Sequence, residues 1–435
     1  MKELVKRLIN KIRKSSFGKA VLMLAGGTAI AQILTIAVSP IISRLFSPDD
    51  FGILSVYTSI LGIIAVFATL RYEFSIPIAE NEKKAVNALG VTLLSVISIS
   101  LISLVLFIVF SDSLFTLVNA QELRPYYWLI SLGVLAQGTY IVFRYWAFRK
   151  KDFKTITKTT VNQSVYKNSF FVFWGFFIGS PIGLILGTII GRSAGIWVLS
   201  KDFRRKETKL IKNISFRSLG SIAKRYIKFP IFSSWAALLN SLGLQLPVLM
   251  LSSLYGTEVT GSFGFAVRIV ALPMVFIGQA VGDVFFSEGA QLSKTNPERM
   301  LALSRKLLKK LVLVGIIPFS ILVLFGPVLF SFVFGEVWYT AGVYARILSL
   351  MVFTRFIVTP VSNVFNMLER QVLGFFLHGF RAGIVIAAFI LSDYLSFSPL
   401  YCVSMYSISM IIVYLLTLIL AQKVIKDRIK EKNNL

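Results

Sequence analysis

The chain has 435 residues, of which 56% are hydrophobic and 15% charged, and its mean hydropathy is +0.76. No water-soluble domain has this composition, and apolar runs of about 20 residues, each long enough to cross a bilayer, recur from end to end. The formal net charge of +26 would point to nucleic acid in a soluble chain, but here Lys and Arg gather in alternate loops, the positive-inside pattern of a multi-pass membrane chain, and no nucleic-acid partner is expected.

Residues 1–19 are basic, with Leu4, Val5, Leu8, Ile9 and Ile12 at helical spacing. They read as an amphipathic helix on the inner leaflet. The apolar segment that follows is too long for a signal peptide and has no small-residue cleavage pattern. Helix one is expected over about 20–42, followed by the acidic turn Pro48-Asp49-Asp50. Helix two is expected over 52–78, with Arg71 and Glu73 near its far end, helix three over 85–110 and helix four over 126–146, ending in the basic run Arg149-Lys150-Lys151. Helix five (159–178) contains Lys167 and helix six (182–199) contains Arg192. Helix six also carries Gly183, Gly187, Gly191 and Gly195, a stripe of small residues that lets another helix approach closely.

A basic segment at 201–228 separates this half from the next. Helices seven to twelve are expected over 229–254, 261–286, 311–334, 339–367, 372–391 and 400–422. The implied organisation is a six-helix lobe at 20–200, a cytoplasmic linker at 201–228, a second six-helix lobe at 229–422 and a basic cytoplasmic tail at 423–435. With both termini inside, the outer loops hold only Arg44 and Arg124; shifting the topology by one helix would invert the bias.

One stretch occurs twice. Leu45-Phe46-Ser47-Pro48-Asp49-Asp50-Phe51-Gly52 corresponds to Leu254-Tyr255-Gly256-Thr257-Glu258-Val259-Thr260-Gly261, residue n of the first matching n + 209 of the second without a gap. A half-chain repeat in an apolar protein implies an all-α fold of two homologous six-helix bundles about a central cavity, twelve membrane helices in all.

Ionisable residues inside membrane helices are expensive, which makes each a candidate for a pathway or a binding site. Here they are mostly cations: Lys167, Arg192, Arg268, Arg346, Arg355 and Arg381, with Arg71 near an inner end. Cations in a low-dielectric wall focus a field for an anion, and the Arg fork matches phosphate. The competing reading is a cation that snorkels to headgroups or pairs with a carboxylate; Arg346 and Arg381 lie within reach of a helix end and fit it. Glu73 and Asp283 are candidates for ion coupling or for salt bridges. The single cysteine, Cys402, and the single histidine, His378, allow neither a disulfide framework nor a Cys/His metal site. No enzyme signature and no cofactor motif stands out.

The run from Ser43 to Gly52, together with Leu70-Arg71-Tyr72-Glu73 and Ile76-Pro77, resembles the polysaccharide branch of the multidrug/oligosaccharidyl-lipid/polysaccharide exporter superfamily, the Wzx-type O-antigen and oligosaccharide flippases. The resemblance implies two lobes in a V-shape. It also implies a substrate, an oligosaccharide on a polyprenyl diphosphate, moved from the inner to the outer leaflet of the cytoplasmic membrane, with membrane lipids and other polysaccharide-assembly proteins as partners. Helix eight, with Gly261, Ala266, Arg268 and Pro273, is similar to the helix of lipid II flippases whose Arg lines the cavity, so Arg268 is the expected diphosphate residue. Arg71, Lys167, Arg192 and Arg355 would add positive potential. Lipid II flippases carry a cation at the repeat-related place in helix two, where this chain has Ser59. One rival reading is a cation-coupled drug exporter of the same superfamily, which would want acidic cavity residues. The other is a membrane glycan polymerase or ligase, which fits the repeat poorly.

Overall fold

The computed structural model describes residues 16–212, 214–274, 278–368 and 370–433, so most of the expected inner-leaflet helix at 1–19 lies outside the described residues. Among the described residues all regular structure is helical. The long helices are α1 (Ser16–Leu45), α2 (Pro48–Ala68), α3 (Glu82–Leu117), α4 (Trp128–Arg149), α5 (Phe153–Phe177), α6 (Ile182–Ile211), α7 (Phe216–Arg225), α8 (Ser234–Val270), α9 (Gln279–Thr295), α10 (Pro297–Phe334), α11 (Tyr339–Ser362), α12 (Gln371–Tyr394) and α13 (Pro399–Asn433). Nine helical stretches among the described residues are long and apolar enough to span a membrane. One of them, Phe229–Val270, contains expected helix seven and the start of helix eight; Gly256, at φ 83° and ψ −179°, interrupts it within α8. α4 and α5, which carry Arg144, Lys154, Lys158 and Lys167, are not among the nine. Large apolar side chains such as Leu101, Ile102, Val105 and Ile108 on α3 are exposed, as a lipid-facing surface requires.

Several boundaries differ from expectation for identifiable reasons. α2 starts at Pro48, not at Gly52. The Asp50 carboxylate accepts from the Ser47 backbone N–H (2.7 Å) and hydroxyl (2.8 Å), and Ser47 Oγ accepts from the Asp50 N–H (3.2 Å). This reciprocal cap, with Pro in the first helical position and acids in the first turn, is a strong start signal. The acidic turn is therefore the first turn of the helix. α2 also stops early, at Ala68. Leu70 and Arg71 both adopt left-handed φ (48° and 61°), which breaks the expected run to residue 78 into a turn, a 3₁₀ helix (Tyr72–Phe74) and a short α-helix (Ser75–Ile78). α6 runs on to Ile211, twelve residues past its expected end at 199.

The chain divides into two compact units, Met1–Phe46 with Tyr57–Ser241, and Ser47–Val56 with Leu242–Leu435. The first unit is held at one end of its helices by Tyr72, Ile76, Ala85, Val86, Leu89, Trp146, Phe203 and Ile222. α7, from the expected linker, is part of it. Ser215 N–H donates to Asn87 Oδ1 (3.3 Å), Tyr72 OH donates to the Ala223 carbonyl (3.2 Å), Arg225 pairs with Glu80, and Ile222 is buried. The second unit has its own core of Phe285, Met300, Val361, Val364, Leu377, Ala421 and Ile425.

The two copies of the repeated stretch meet inside the second unit. A side chain on Gly52 would strike the Thr257 carbonyl, and one on Gly261 would strike the Pro48 carbonyl. Pro48 and Thr257 are related by the same offset of 209 as the two glycines. Ser55 Oγ stands 2.6 Å from where a Cβ on Gly264 would lie, and these two are also repeat mates. A contact in which i meets j′, j meets i′ and residues near the centre meet their own mates has local two-fold symmetry. Phe51 packs beside this crossing, edge-on to Phe265 (5.3 Å) and Trp338 (5.2 Å).

Candidate functional site

The glycine stripe of α6 packs against α5, and that packing assembles the cations of the first unit. Added Cβ atoms at Gly183, Gly187 and Gly191 would meet Trp174, Phe171, and the Gln163 carbonyl with Lys167, and one at Gly195 would meet Gln163 and, on α4, Tyr140. The close approach sets Arg192 of α6 beside Gln163 of α5, with Nη1 donating to Oε1 (3.4 Å), and over the Tyr140 ring of α4 (5.6 Å). The Lys167 ammonium lies 6.0 Å from the Phe171 ring.

Arg71 sits in the left-handed break after α2. It pairs with Glu73 (3.5 Å) and lies 5.7 Å from the Phe74 ring. The Glu73 side chain is 3% exposed and that of Arg71 25%. Tyr145 of α4 is within electrostatic reach of Glu73, Arg71 and Arg144, and Arg144 is within reach of Arg192. Arg144, which sequence reading does not single out, thus stands between Arg71 and Arg192 and within electrostatic reach of the groups beside each.

In the second unit Arg268 is half-buried on the second segment of α8. That segment resumes at Thr257 after the break at Gly256, so Arg268 lies about 17 Å from its start at 1.5 Å per residue, deeper than the roughly 10 Å that a helix starting at Gly261 implies. It has no hydrogen-bond or ion-pair partner among the described residues. α8 ends at Val270, three residues before Pro273; proline lacks the N–H and crowds the carbonyl four residues back. Arg355 of α11 is likewise half-buried with no hydrogen-bond or ion-pair partner among the described residues. Arg346 donates to the Leu324 carbonyl (3.2 Å). Ser59, the repeat mate of Arg268, is buried. The Asp283 side chain lies outside the described residues.

At the end of the first unit where α4 meets α6, a cavity of about 500 Å³ is lined by Trp146, Lys150, Asp202, Phe203 and Glu207. Lys150 bridges Glu82 (3.0 Å) and Glu207 (2.9 Å) there. Burial pulls its ammonium down, but hydrogen bonds to the two carboxylates outweigh that and hold it above the usual lysine value.

Residues 17–286 match the family described as "Polysaccharide biosynthesis protein". The chain belongs to this family. It is 22% identical over 334 residues to the succinoglycan biosynthesis transport protein ExoT of Rhizobium meliloti, a match spanning 74% of this chain and 63% of that protein. It is 23% identical over 385 residues to the lipopolysaccharide biosynthesis protein WzxC of Escherichia coli, spanning 84% of this chain and 73% of that protein. Its fold is that of a multidrug resistance MATE family transporter of the MOP superfamily solved in an inward-facing conformation, with TM-score 0.76, 16% identity, and coverage of 94% of this chain and 99% of the other. Family membership and the apolar helices agree on a multi-pass membrane protein of the polysaccharide biosynthesis family. Among the described residues, the charged side chains that lie at least half-buried within its membrane helices are mostly cations, Arg192, Arg268, Arg355 and Arg381 among them.

Proposed function

We propose that the protein is a flippase that carries a polyprenyl-diphosphate-linked oligosaccharide from the inner to the outer leaflet of the cytoplasmic membrane by alternating access, supplying surface polysaccharide assembly. The observation that carries this reading is Arg268, a half-buried guanidinium in a membrane helix with no partner among the described residues. Such a charge costs about 2.5–3.5 kcal/mol on insertion scales. An anionic ligand offsets that cost, and a diphosphate matches the two-pronged donor geometry of Arg. Lys167, Arg192, Arg71 and Arg355 add positive potential. The saccharide meets the polar groups of the pathway while the polyprenyl chain stays in lipid. The excess of Lys and Arg in alternate loops supports cytoplasmic termini; a cysteine replacing Ser47 should then react with an impermeant reagent added outside.

The test is surface glycan export. Arg268→Ala should abolish export while the protein stays in the membrane at wild-type level, and Arg268→Lys should restore part of it, since a point charge attracts phosphate without the fork. Normal export by Arg268→Ala at wild-type protein level would remove the proposed diphosphate site.

A further inference from the structure

We propose that Arg355 and Arg381, with the hydroxyl of Tyr414, form a phosphate-binding site within the helices of the second unit. The proposal rests on the flippase reading only for the carrier of the phosphate, which we take to be the polyprenyl diphosphate.

Arg381 lies ten residues into α12, and the sequence reading lets it snorkel to a helix end. The structure instead turns it inward. It is half-buried, and its guanidinium packs against Gly243 of α8, with Nη2 2.8 Å and Nε 3.2 Å from where a Cβ on Gly243 would lie. The absent side chain at 243 is what makes room for the group. Arg355 of α11 and the hydroxyls of Tyr406 and Tyr414 of α13 are within electrostatic reach of it. Ring contacts hold Tyr406 in place, at 5.9 Å to Phe263 and 6.0 Å to Phe389.

Helix register agrees with this grouping. Counted from the outer ends of their own helices at 1.5 Å per residue, Arg355 lies about 24 Å in, Arg381 about 20 Å and Tyr414 about 22 Å. Three helices thus present two cations and one hydroxyl at one level. No carboxylate shares that level on these helices. α11 has none; α12 has Asp393, about 18 Å away at its outer end; α13 has Asp427 and Glu431 in its inner tail. Two guanidinium groups repel each other, the more so where the dielectric is low, and a buried cation needs a counter-charge or water. A phosphate supplies the charge and accepts from both arginines and from the tyrosine.

The experiment uses purified full-length protein in phosphatidylcholine nanodiscs. Its probes are undecaprenyl diphosphate, inorganic pyrophosphate and phosphatidylglycerol, with binding read by native mass spectrometry. Undecaprenyl diphosphate should bind the wild type about tenfold or more tightly than it binds Arg355→Gln or Arg381→Gln. Tyr414→Phe removes one hydroxyl without disturbing packing and should weaken binding by a few-fold, which keeps the test open if an arginine variant fails to fold. Binding that weakens in Arg268→Ala but is unchanged in Arg355→Gln, Arg381→Gln and Tyr414→Phe would overturn this site and leave the flippase reading standing. Arginine-dependent binding of pyrophosphate or phosphatidylglycerol, with no binding of undecaprenyl diphosphate, would keep the phosphate site and overturn the flippase reading. No binding of any probe would overturn both.

Discussion

In the first unit Arg192 leans on Gln163 and Tyr140, and Arg71 on Glu73 and Phe74; in the second, Arg268 and Arg355 have no hydrogen-bond or ion-pair partner among the described residues. Arg192, Arg268 and Arg355 sit in membrane helices and carry the same kind of insertion cost, and Arg71 sits at the break after α2. The first unit returns part of that cost within the protein, through an amide, aromatic faces and a carboxylate. Among the described residues, Arg268 and Arg355 of the second unit have no such partner, and their cost is left to a ligand or to water. A cation with protein partners can be kept for packing alone, whereas one without them is kept for a ligand or for water.

The sharpest way to break this contrast is to truncate one cation from each unit. Arg268→Ala should eliminate surface glycan export at an unchanged protein level. Arg192→Gln should reduce export only partially, because Gln163 and Tyr140 remain to line the same place. Export assays normalised to membrane protein test both. Equal loss from the two variants would mean that the partners of Arg192 do not lessen its role, and the contrast would lose its functional meaning.

Next in size is the packing that builds the first cluster. Gly191 approaches the Gln163 carbonyl of α5 so closely that even a Cβ would sit 2.9 Å from it. Gly191→Leu should force α5 and α6 apart, at a cost of about 1–3 kcal/mol or more for overpacking, and should lower both the protein level and the thermal midpoint. Gly220, where a Cβ would meet nothing within 4 Å, is the matched control: Gly220→Leu should lower neither, since Leu is a better helix former than Gly. A Gly191→Leu protein of wild-type stability would show that the glycine stripe does not set the helix spacing.

Glu73 comes third. Glu73→Gln leaves Arg71 without its counter-charge. Since Glu73 is buried and Arg71 is only partly so, a loss of roughly 1–3 kcal/mol is expected, a few degrees in Tm for a unit of this size. Export should persist in the folded fraction. Complete loss of export with an unchanged Tm would instead make Glu73 an ion-coupling group.

These contrasts were only partly legible in the sequence. The bilayer spans, the positive-inside bias and the repeat follow from apolar run length and charge position, which depend little on three-dimensional detail. The start of α2 was misplaced because the Ser47–Asp50 cap has the composition of a loop. Its end was misplaced because Leu70 and Arg71 take left-handed φ without the glycine or asparagine that usually marks it. Which cations act together was harder to read. Arg144 and Arg381 depend on the rotation of α4 and α12 about their axes. On a helix that is apolar all round, no periodic stripe records that rotation. Gly243 shows the limit plainly: its lack of a side chain matters only because Arg381 comes from another helix to fill the space.

The smallest expected effect concerns the basic segment at 201–228, which sequence reading made a linker and the structure docks through α7 onto the first unit. Its exposed fastening is Arg225 with Glu80, which also accepts from Lys84. Hydrogen bonds from Lys84 and then Arg225 hold the Glu80 carboxyl below the usual carboxylate value. A carboxyl depressed in the folded state contributes stability above its unfolded pKa and loses that contribution as pH falls through the folded value. Between pH 8 and about 5 the clamp should therefore be constant, and it should weaken only under more acidic conditions. Glu80 is fully exposed, so solvent and salt screen the pair. The other fastenings, Tyr72 to the Ala223 carbonyl, Asn87 to Ser215 N–H and the buried Ile222, do not titrate in this range. Hydrogen exchange across α7 is the measurement. Arg225→Ala should raise exchange slightly and abolish its acid dependence, while Ile222→Ala should raise it strongly at every pH. If Arg225→Ala instead frees α7 as completely as Ile222→Ala does, the exposed ion pair rather than the buried contact is what fastens this segment to the first unit.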